Sequence, residues 1–348
     1  MSLSSDALAT MQVKLRQQLH VSGMNQARNC GIQFMFQHIM GIPRPPRSHL
    51  HTGTATHQSI AANLTNRIQS GELLSKKDAM GVAEGAFDYL QQREPIEPDP
   101  DEKAEGLSAD TVVGEAKDKA VNLAGLHCES VAPTIHMSTD LPVEVQVSRR
   151  FSINMDMFLR FRASELHKQA EDALTTYDRK ILHSVATSLN SQARKGIDLC
   201  GEMDIRETDG TMVIIRDSKT SGKSPNKSAA DDSDQLSCYA VAETVLNKKP
   251  PDAVILDYLV QTPKRKDLKH VPLVSKRDEK DNQVFLNGFV AVQHAIKTGV
   301  FLPANPDWWG CSPKYCPYWD RCEYAHRPKL IQIQTAVESN SVQNSAML

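Results

Sequence analysis

The chain has 348 residues, 40% of them hydrophobic and 24% charged, with 40 Lys and Arg against 42 Asp and Glu for a net charge of −2. That length can bury a substantial core as one large or two modest domains, and the near-neutral balance excludes a generic polyanion binder, so any nucleic-acid contact must use local patches. No apolar run approaches the roughly 18–20 residues of a membrane helix, and the first residues, MSLSSDALATMQVKLRQQL, lack a signal-peptide apolar region, so no membrane contact and a cytoplasmic location are expected.

Residues 1 to about 40 read as helical, with Leu8, Met11, Val13, Leu15 and Leu19 among polar positions and Cys30 in RNCGIQFMFQHIM. GIPRPPRSH is a Pro-rich break. In the next stretch His57, Ala61, Leu64 and Ile68 recur at helical spacing and Gly71 provides a stop, which predicts a helix with His57 near its first turn. Residues 72–90 predict another helix. QQREPIEPDPDEKAEGLSAD is an exposed acidic connection, and TVVGEAKDKAVNLAGLHCESVAP is helical again.

The alternation from Pro142 to Val147 predicts a strand with Glu144 on the face opposite Val143, Val145 and Val147. Residues 152–195 read as one or two amphipathic helices. TSGKSPNKSAADDSD is a flexible loop, and the helix after it, capped by Ser233, puts Gln235 and Tyr239 on one face. A strand over Asp252–Val260, a second near His270–Val274 and a helix over 278–299 follow, and the tail after about 328 reads as disordered. Basic patches occur at Arg149-Arg150, at Lys219 with Lys223 and Lys227, at Lys248-Lys249, and at Lys264-Arg265-Lys266 with Lys269. Each taken alone reads more readily as a solvated face than as a nucleic-acid contact.

The stretch that carries chemistry is Gly201–Lys219, GEMDIRETDGTMVIIRDSK. Asp209-Gly210 is a two-residue turn signal; with that turn Glu207 faces Met212, Asp204 faces Ile215, and Asp204 and Asp217 are diagonal neighbours on the face that also carries Lys219. Two carboxylates within reach of one hard cation, with an ammonium two residues on, suit metal-assisted phosphodiester hydrolysis. A three-residue loop would separate the acids, so the geometry depends on the turn.

Asp-x-Lys is common by chance in a chain this rich in charge. The ordered set is more specific: His57 on a helix, Gly201-x-x-Asp204, Asp217-x-Lys219 ending an apolar strand, then Gln235-x-x-x-Tyr239. Over roughly residues 30–325 it resembles the PD-(D/E)XK nuclease superfamily, in particular the RecB-type exonuclease branch. That branch includes the nuclease domains of bacterial recombination helicase-nucleases, CRISPR-adaptation nucleases and many phage-encoded proteins. The resemblance implies an α/β (α+β) fold, with a mixed central sheet flanked by helices, a restriction-endonuclease-like core, a helical N-terminal region and a helical insertion. It also implies that His57, Asp204 and Asp217 hold Mg2+ or Mn2+, that Lys219 is the catalytic lysine, and that Gln235 and Tyr239 lie beside the site, contacting DNA or supporting the lysine. Glu144 matches an acidic residue that many members have on the preceding strand.

Cys311-x4-Cys316-x5-Cys322 forms a second constellation, three thiols in a Trp/Tyr/Pro-rich segment that need a fourth partner. By residues alone Cys30, Cys128, Cys200 and Cys238 all compete for that place. In the iron–sulfur subgroup of the resembled branch one cysteine precedes the core and three follow it, which implies Cys30, Cys311, Cys316 and Cys322 around a structural [4Fe–4S] cluster. The gap between Cys311 and Cys316 is longer than the subgroup's usual two residues, and Zn2+ in a four-cysteine site is the alternative.

The expected organisation is a helical N-terminal region over 1–140, a nuclease core over 141–300 with its insertion at 152–195, a cysteine-rich segment over 301–327 and a tail over 328–348. The expected function is a metal-dependent DNA exonuclease acting on single strands or duplex ends, with a recombination or helicase partner protein. The rivals are a non-catalytic DNA-binding module of the same fold and a structure- or site-specific endonuclease.

Overall fold

The computed structural model describes residues 18–135, 147–193, 198–262 and 267–325. Glu144 and most of the strand expected at Pro142–Val147 lie outside the described residues, as do Lys264, Arg265, Lys266 and the tail.

The described chain begins at β1 (Gln18–His20), where Leu19, 2% exposed, is buried in a parallel pairing with Leu199; the expected helical positions Leu8, Met11, Val13 and Leu15 lie outside the described residues. Short helices α1 (Val21–Asn29) and α2 (Gly31–Phe34) and a π-helical turn (Met35–Ile39) lead to the Pro-rich break. Helix α3 (Ser48–Ser70) begins as soon as that break ends and stops at Gly71, so His57 lies in its third turn and not its first. Helix α4 (Lys76–Arg93) starts at the Ser75 cap. The acidic connection holds one short helix, α5 (Pro100–Ala104), nucleated by a reciprocal cap between Asp99 and Glu102, and α6 (Ala109–Ser130) follows the Ser108 cap.

Strand β2 (Val147–Asn154) runs past the expected strand end, so the helical hairpin of α7 (Met155–Glu171) and α8 (Thr176–Gln192) begins three residues later than the sequence suggests. Strands β3 (Asp198–Thr208) and β4 (Val213–Ser221) form the hairpin. Helix α9 (Asp234–Asn247), with Ser233 as its cap, strands β5 (Ala253–Gln261) and β6 (Leu268–Ser275), and helix α10 (Glu279–Thr298) complete the core. The loop before α9, expected to be flexible, is pinned at its end: Ala230 is buried and Ser275 Oγ donates to Asp231 Oδ1 at 2.6 Å.

The six strands form one mixed sheet in the order β1-β3-β4-β5-β6, with β2 also on β3. β4 and β5 are parallel and are joined through α9, whereas the other neighbours of β4 and β5 are antiparallel. One face carries the larger core, where Ile215, Val254 and Leu256 meet α7–α10. The other carries a smaller core of Ile205 and Leu259 against Ile60 and Leu64 of α3 and Leu123 of α6. A helix-covered sheet of this kind is the α/β architecture expected from the sequence. No helix among the described residues is long and apolar enough to cross a membrane.

The hairpin turn differs from the two-residue expectation. The pairing runs Thr208↔Val213, Glu207↔Ile214, Arg206↔Ile215 and Ile205↔Arg216, so the loop holds Asp209–Met212. Asp209 decides this: its Oδ1 accepts from the N–H groups of Met212 and Thr211, each at 2.8 Å, and Gly210 turns through φ 92°. Those bonds hold the Asp209 pKa down to about 2. The register is displaced by two residues from the sequence reading, and a shift of two leaves every side chain on its expected face.

Candidate active site

β2 pairs along one side of β3 from Val147↔Ile205 to Asn154↔Asp198. The other side of β3 is shared: β1 takes residues 198–200 and β4 takes 205–208. Between them, among the described residues, Gly201 to Asp204 face no strand, and the sheet forks. The fork leaves backbone groups without ladder partners, and side chains satisfy them. Asp204 Oδ2 accepts the Ser218 N–H at 2.8 Å, and the Tyr239 hydroxyl donates to the Glu202 carbonyl at 2.6 Å. Gly201 is tight on its other flank, where a Cβ would stand 2.5 Å from the Phe151 ring.

A strand N–H points within the sheet plane, so the carboxylate of Asp204 lies in the split and is open to groups from both faces. From α3 on one face, His57 brings Nδ1 to 3.1 Å from Asp204 Oδ2. On the other, Asp217 and Lys219 project toward α9, with Lys219 Nζ 2.6 Å from Asp217 Oδ2. Continuing the register by one rung puts Asp204 opposite Asp217, not opposite Ile215 as the two-residue turn implied.

Gln235 ties the second group together. Its Nε2 donates to Asp217 Oδ1 at 2.8 Å and to the Tyr239 oxygen at 2.6 Å, and its Oε1 accepts from Lys219 Nζ at 2.7 Å. Gln235 thus meets the lysine directly, while Tyr239, 2% exposed, packs edge-on to Phe151. Tyr239 therefore lies inside the core beside Gln235 and not on the surface.

The electrostatics follow from this arrangement. Burial pushes the Asp217 carboxyl pKa up, against the pull of Lys219, and neighbouring Asp204 adds to the rise. Burial also acts to raise Asp204, but His57 and the Ser218 N–H outweigh it and hold Asp204 below its ordinary value. Burial acts to lower both His57 and Lys219, yet the facing carboxylates leave each above its ordinary value. The two acids are thus unequal, one held ionised and the other biased toward its proton.

Among the described residues no three His, Cys, Asp or Glu side chains form a ready-made metal cage. The acids are instead faced by the imidazole and the ammonium. The donor set nevertheless suits a hard cation: two carboxylates and an imidazole converge, and Asp217 Oδ2 is buried with the Lys219 ammonium beside it at 2.6 Å.

The sequence reading missed the polar row beneath the hairpin. Arg206 is buried on Glu243, with a closest contact of 2.8 Å. On the other face Arg216 bridges Glu207 at 2.9 Å and Asp257 at 3.0 Å, and His270 Nε2 lies 2.7 Å from Asp257 Oδ1. The signal was charge inside apolar strands, in MVIIRD and VILDYLV. Of the basic patches, Arg150 pairs with Glu202 and Lys249 with Asp252.

Cys30, Cys311, Cys316 and Cys322 line one small cavity with Phe36, Tyr318 and other apolar groups. Burial pushes the Cys316 thiol up, and Cys30 and Cys322 are close enough to add to the rise. The rival cysteines lie elsewhere: Cys128 donates to the Leu74 carbonyl, Cys200 is on β3, and Cys238 is buried on α9, which raises its thiol above the usual range.

A helix-covered mixed sheet that forks around paired acids and a lysine is consistent with a restriction-endonuclease-like class of fold, and the family model agrees. The chain belongs to the PD-(D/E)XK nuclease superfamily, whose family model matches residues 18–323. No curated protein matches it. A solved structure, "Crystal structure of SSO0001", is 17% identical over 49% of this chain and 82% of its own, with a TM-score of 0.25.

Proposed function

We propose that the protein is a metal-dependent DNA exonuclease of the RecB-type branch, acting on single strands or duplex ends. The observation that carries this reading is the meeting of His57, Asp204, Asp217 and Lys219 in the fork from two helix-covered faces. Asp204, Asp217 and His57 would hold Mg2+ or Mn2+, which supplies Lewis acidity and a water acidic enough to attack a phosphodiester. Lys219 contributes a fixed positive charge beside the position where the phosphoryl oxygens gain charge. Gln235 fixes that ammonium against Asp217, so the charge is in place before substrate arrives. Tyr239 is a positioning residue, holding Gln235 against the open edge of β3.

The four cysteines that share a cavity would hold a structural [4Fe–4S] cluster, with Zn2+ as the rival occupant. Soft thiolates in an apolar pocket suit either. A site of this kind would tie α2 to the chain's C-terminal segment across nearly the whole sequence, closing a long loop in the unfolded chain. A recombination or helicase partner protein belongs to the same reading.

The test is Mn2+-dependent digestion of end-labelled single-stranded DNA. Release of nucleotides by the protein, abolished in Asp217→Ala and Lys219→Ala, supports the reading. No digestion favours a non-catalytic DNA-binding module, and cutting of closed circular DNA would show an endonuclease.

A further inference from the structure

The Pro-rich break that leads into α3 does more than end a helix. With Trp308, Trp309 and Tyr315 it lines a groove of about 480 Å³ that also takes in Arg44, Arg47 and His49. No acidic residue lines this groove, in a chain whose acids outnumber its bases. Among the described residues neither Arg44 nor Arg47 has an ion pair; Arg47 is held by the Lys314 carbonyl at 3.0 Å. The positive charges of Arg44, Arg47 and Lys119 act on His49 against the single negative charge of Asp99, which does not line the groove, so the cluster is net positive.

The aromatic groups are set for a planar guest. Trp309 is 67% exposed and Tyr315 41% exposed, and they stand edge to face with centroids 4.9 Å apart, so each ring keeps its orientation. Exposed, rigid aromatics beside unneutralised arginines combine a stacking platform with a phosphate contact. Paired bases in a duplex are already stacked, so such a platform is useful only to a single strand. His49, on the groove, and His57, at the fork, lie on the same helix about eight residues, roughly 12 Å, apart.

We propose that this groove binds single-stranded DNA and delivers its end to the fork, Trp309 stacking on a base and Arg44 contacting a phosphate. The choice of DNA rests on the nuclease reading of the fork; the groove's affinity for a single strand is measurable without cleavage.

The experiment is titration of a fluorescein-labelled oligo-dT with the intact protein, without divalent metal, at several salt concentrations. Trp309→Ala is expected to weaken binding about tenfold with an unchanged salt dependence, since stacking releases no counterions. Arg44→Ala is expected to weaken it and to flatten the slope of log K against log salt by about 0.7, the value for one single-strand phosphate. Both side chains are exposed, and thermal melts of the variants check that the fold is intact. Affinities within twofold of the parent for both variants, equal affinity for a blunt duplex, or no binding by the parent protein would overturn the proposal. If the parent binds through the groove but digests nothing with Mn2+, the groove stands and the nuclease reading falls. If it digests DNA while both variants bind as the parent does, the groove alone falls.

Discussion

Asp204 Oδ2 accepts the Ser218 N–H at 2.8 Å, one rung beyond the last backbone pairing of β3 with β4. A side-chain carboxylate thus takes the place of a main-chain carbonyl at the point where the sheet splits. The split is stabilised by the same group that faces His57, which couples the fold to the site.

Gln235→Ala removes the bonds that hold Lys219 and Asp217 in one geometry while leaving both charges in place. The expected outcome is a fall of about 10- to 100-fold in kcat, the usual cost of losing a partner that orients site residues, with little change in oligonucleotide affinity. Steady-state Mn2+-dependent digestion measures it, and an unchanged kcat would remove Gln235 from the site.

Tyr239→Phe keeps the ring packed on Phe151 but strips the donor from the Glu202 carbonyl. Loss of a typical intramolecular hydrogen bond costs about 0.5–1.5 kcal/mol, so the urea midpoint should fall by a corresponding amount. Equal midpoints would mean that water replaces the hydroxyl at the fork.

Two of the shifted groups make stability depend on pH in windows that open at different pH. His127 is buried, its pKa lowered to about 3 chiefly by loss of solvation, and its Nε2 has no hydrogen-bond partner. The unfolded chain takes up this proton from about pH 6.5 downward while the folded chain does not, so stability falls as pH drops from about 6.5, at up to about 1.4 kcal/mol per pH unit. Burial acts to raise Asp257, but His270 and Arg216 outweigh it and hold it below its ordinary value. Its stabilising contribution is present above the unfolded value near pH 4 and is lost as pH falls through the folded value. His127→Leu should flatten the curve between pH 6.5 and 4, and Asp257→Asn only below about pH 4, as read from urea unfolding across pH. Identical slopes in all three proteins would show that neither group carries the dependence.

Arg206→Met leaves the Glu243 carboxylate buried, 1% exposed, and without its partner. The expected loss is about 3–5 kcal/mol. The double variant Arg206→Met with Glu243→Leu should recover most of it in the same denaturation measurement. A single variant as stable as the parent would show that the pair contributes nothing.

If the four-cysteine cavity holds the cluster, the purified protein is brown, and Cys30→Ser loses iron and melts lower. Cys128→Ser and Cys200→Ser should keep the colour and the iron, because neither thiol lines that cavity. A colourless protein with stoichiometric zinc would assign the site to Zn2+ instead.

The sequence by itself determined what is local. Ser233 capping α9, the stop at Gly71, the helical spacing of Gln235 and Tyr239, and the shared side of Asp217 and Lys219 all follow from periodicity and capping over a few residues. The tertiary structure decided what depends on partners distant in the chain. It made Leu19 a strand residue, placed His57 against Asp204, forked the sheet between β1 and β4, and brought Cys30 rather than Cys128, Cys200 or Cys238 to the C-terminal cysteines. The hairpin shows the boundary between the two. Alternation fixed which side each residue faces, but the number of residues in the turn was set by three bonds to one Asp209 oxygen. A strand has a period of two, so a two-residue error in register preserved the face of every acid and changed only which residue each one meets.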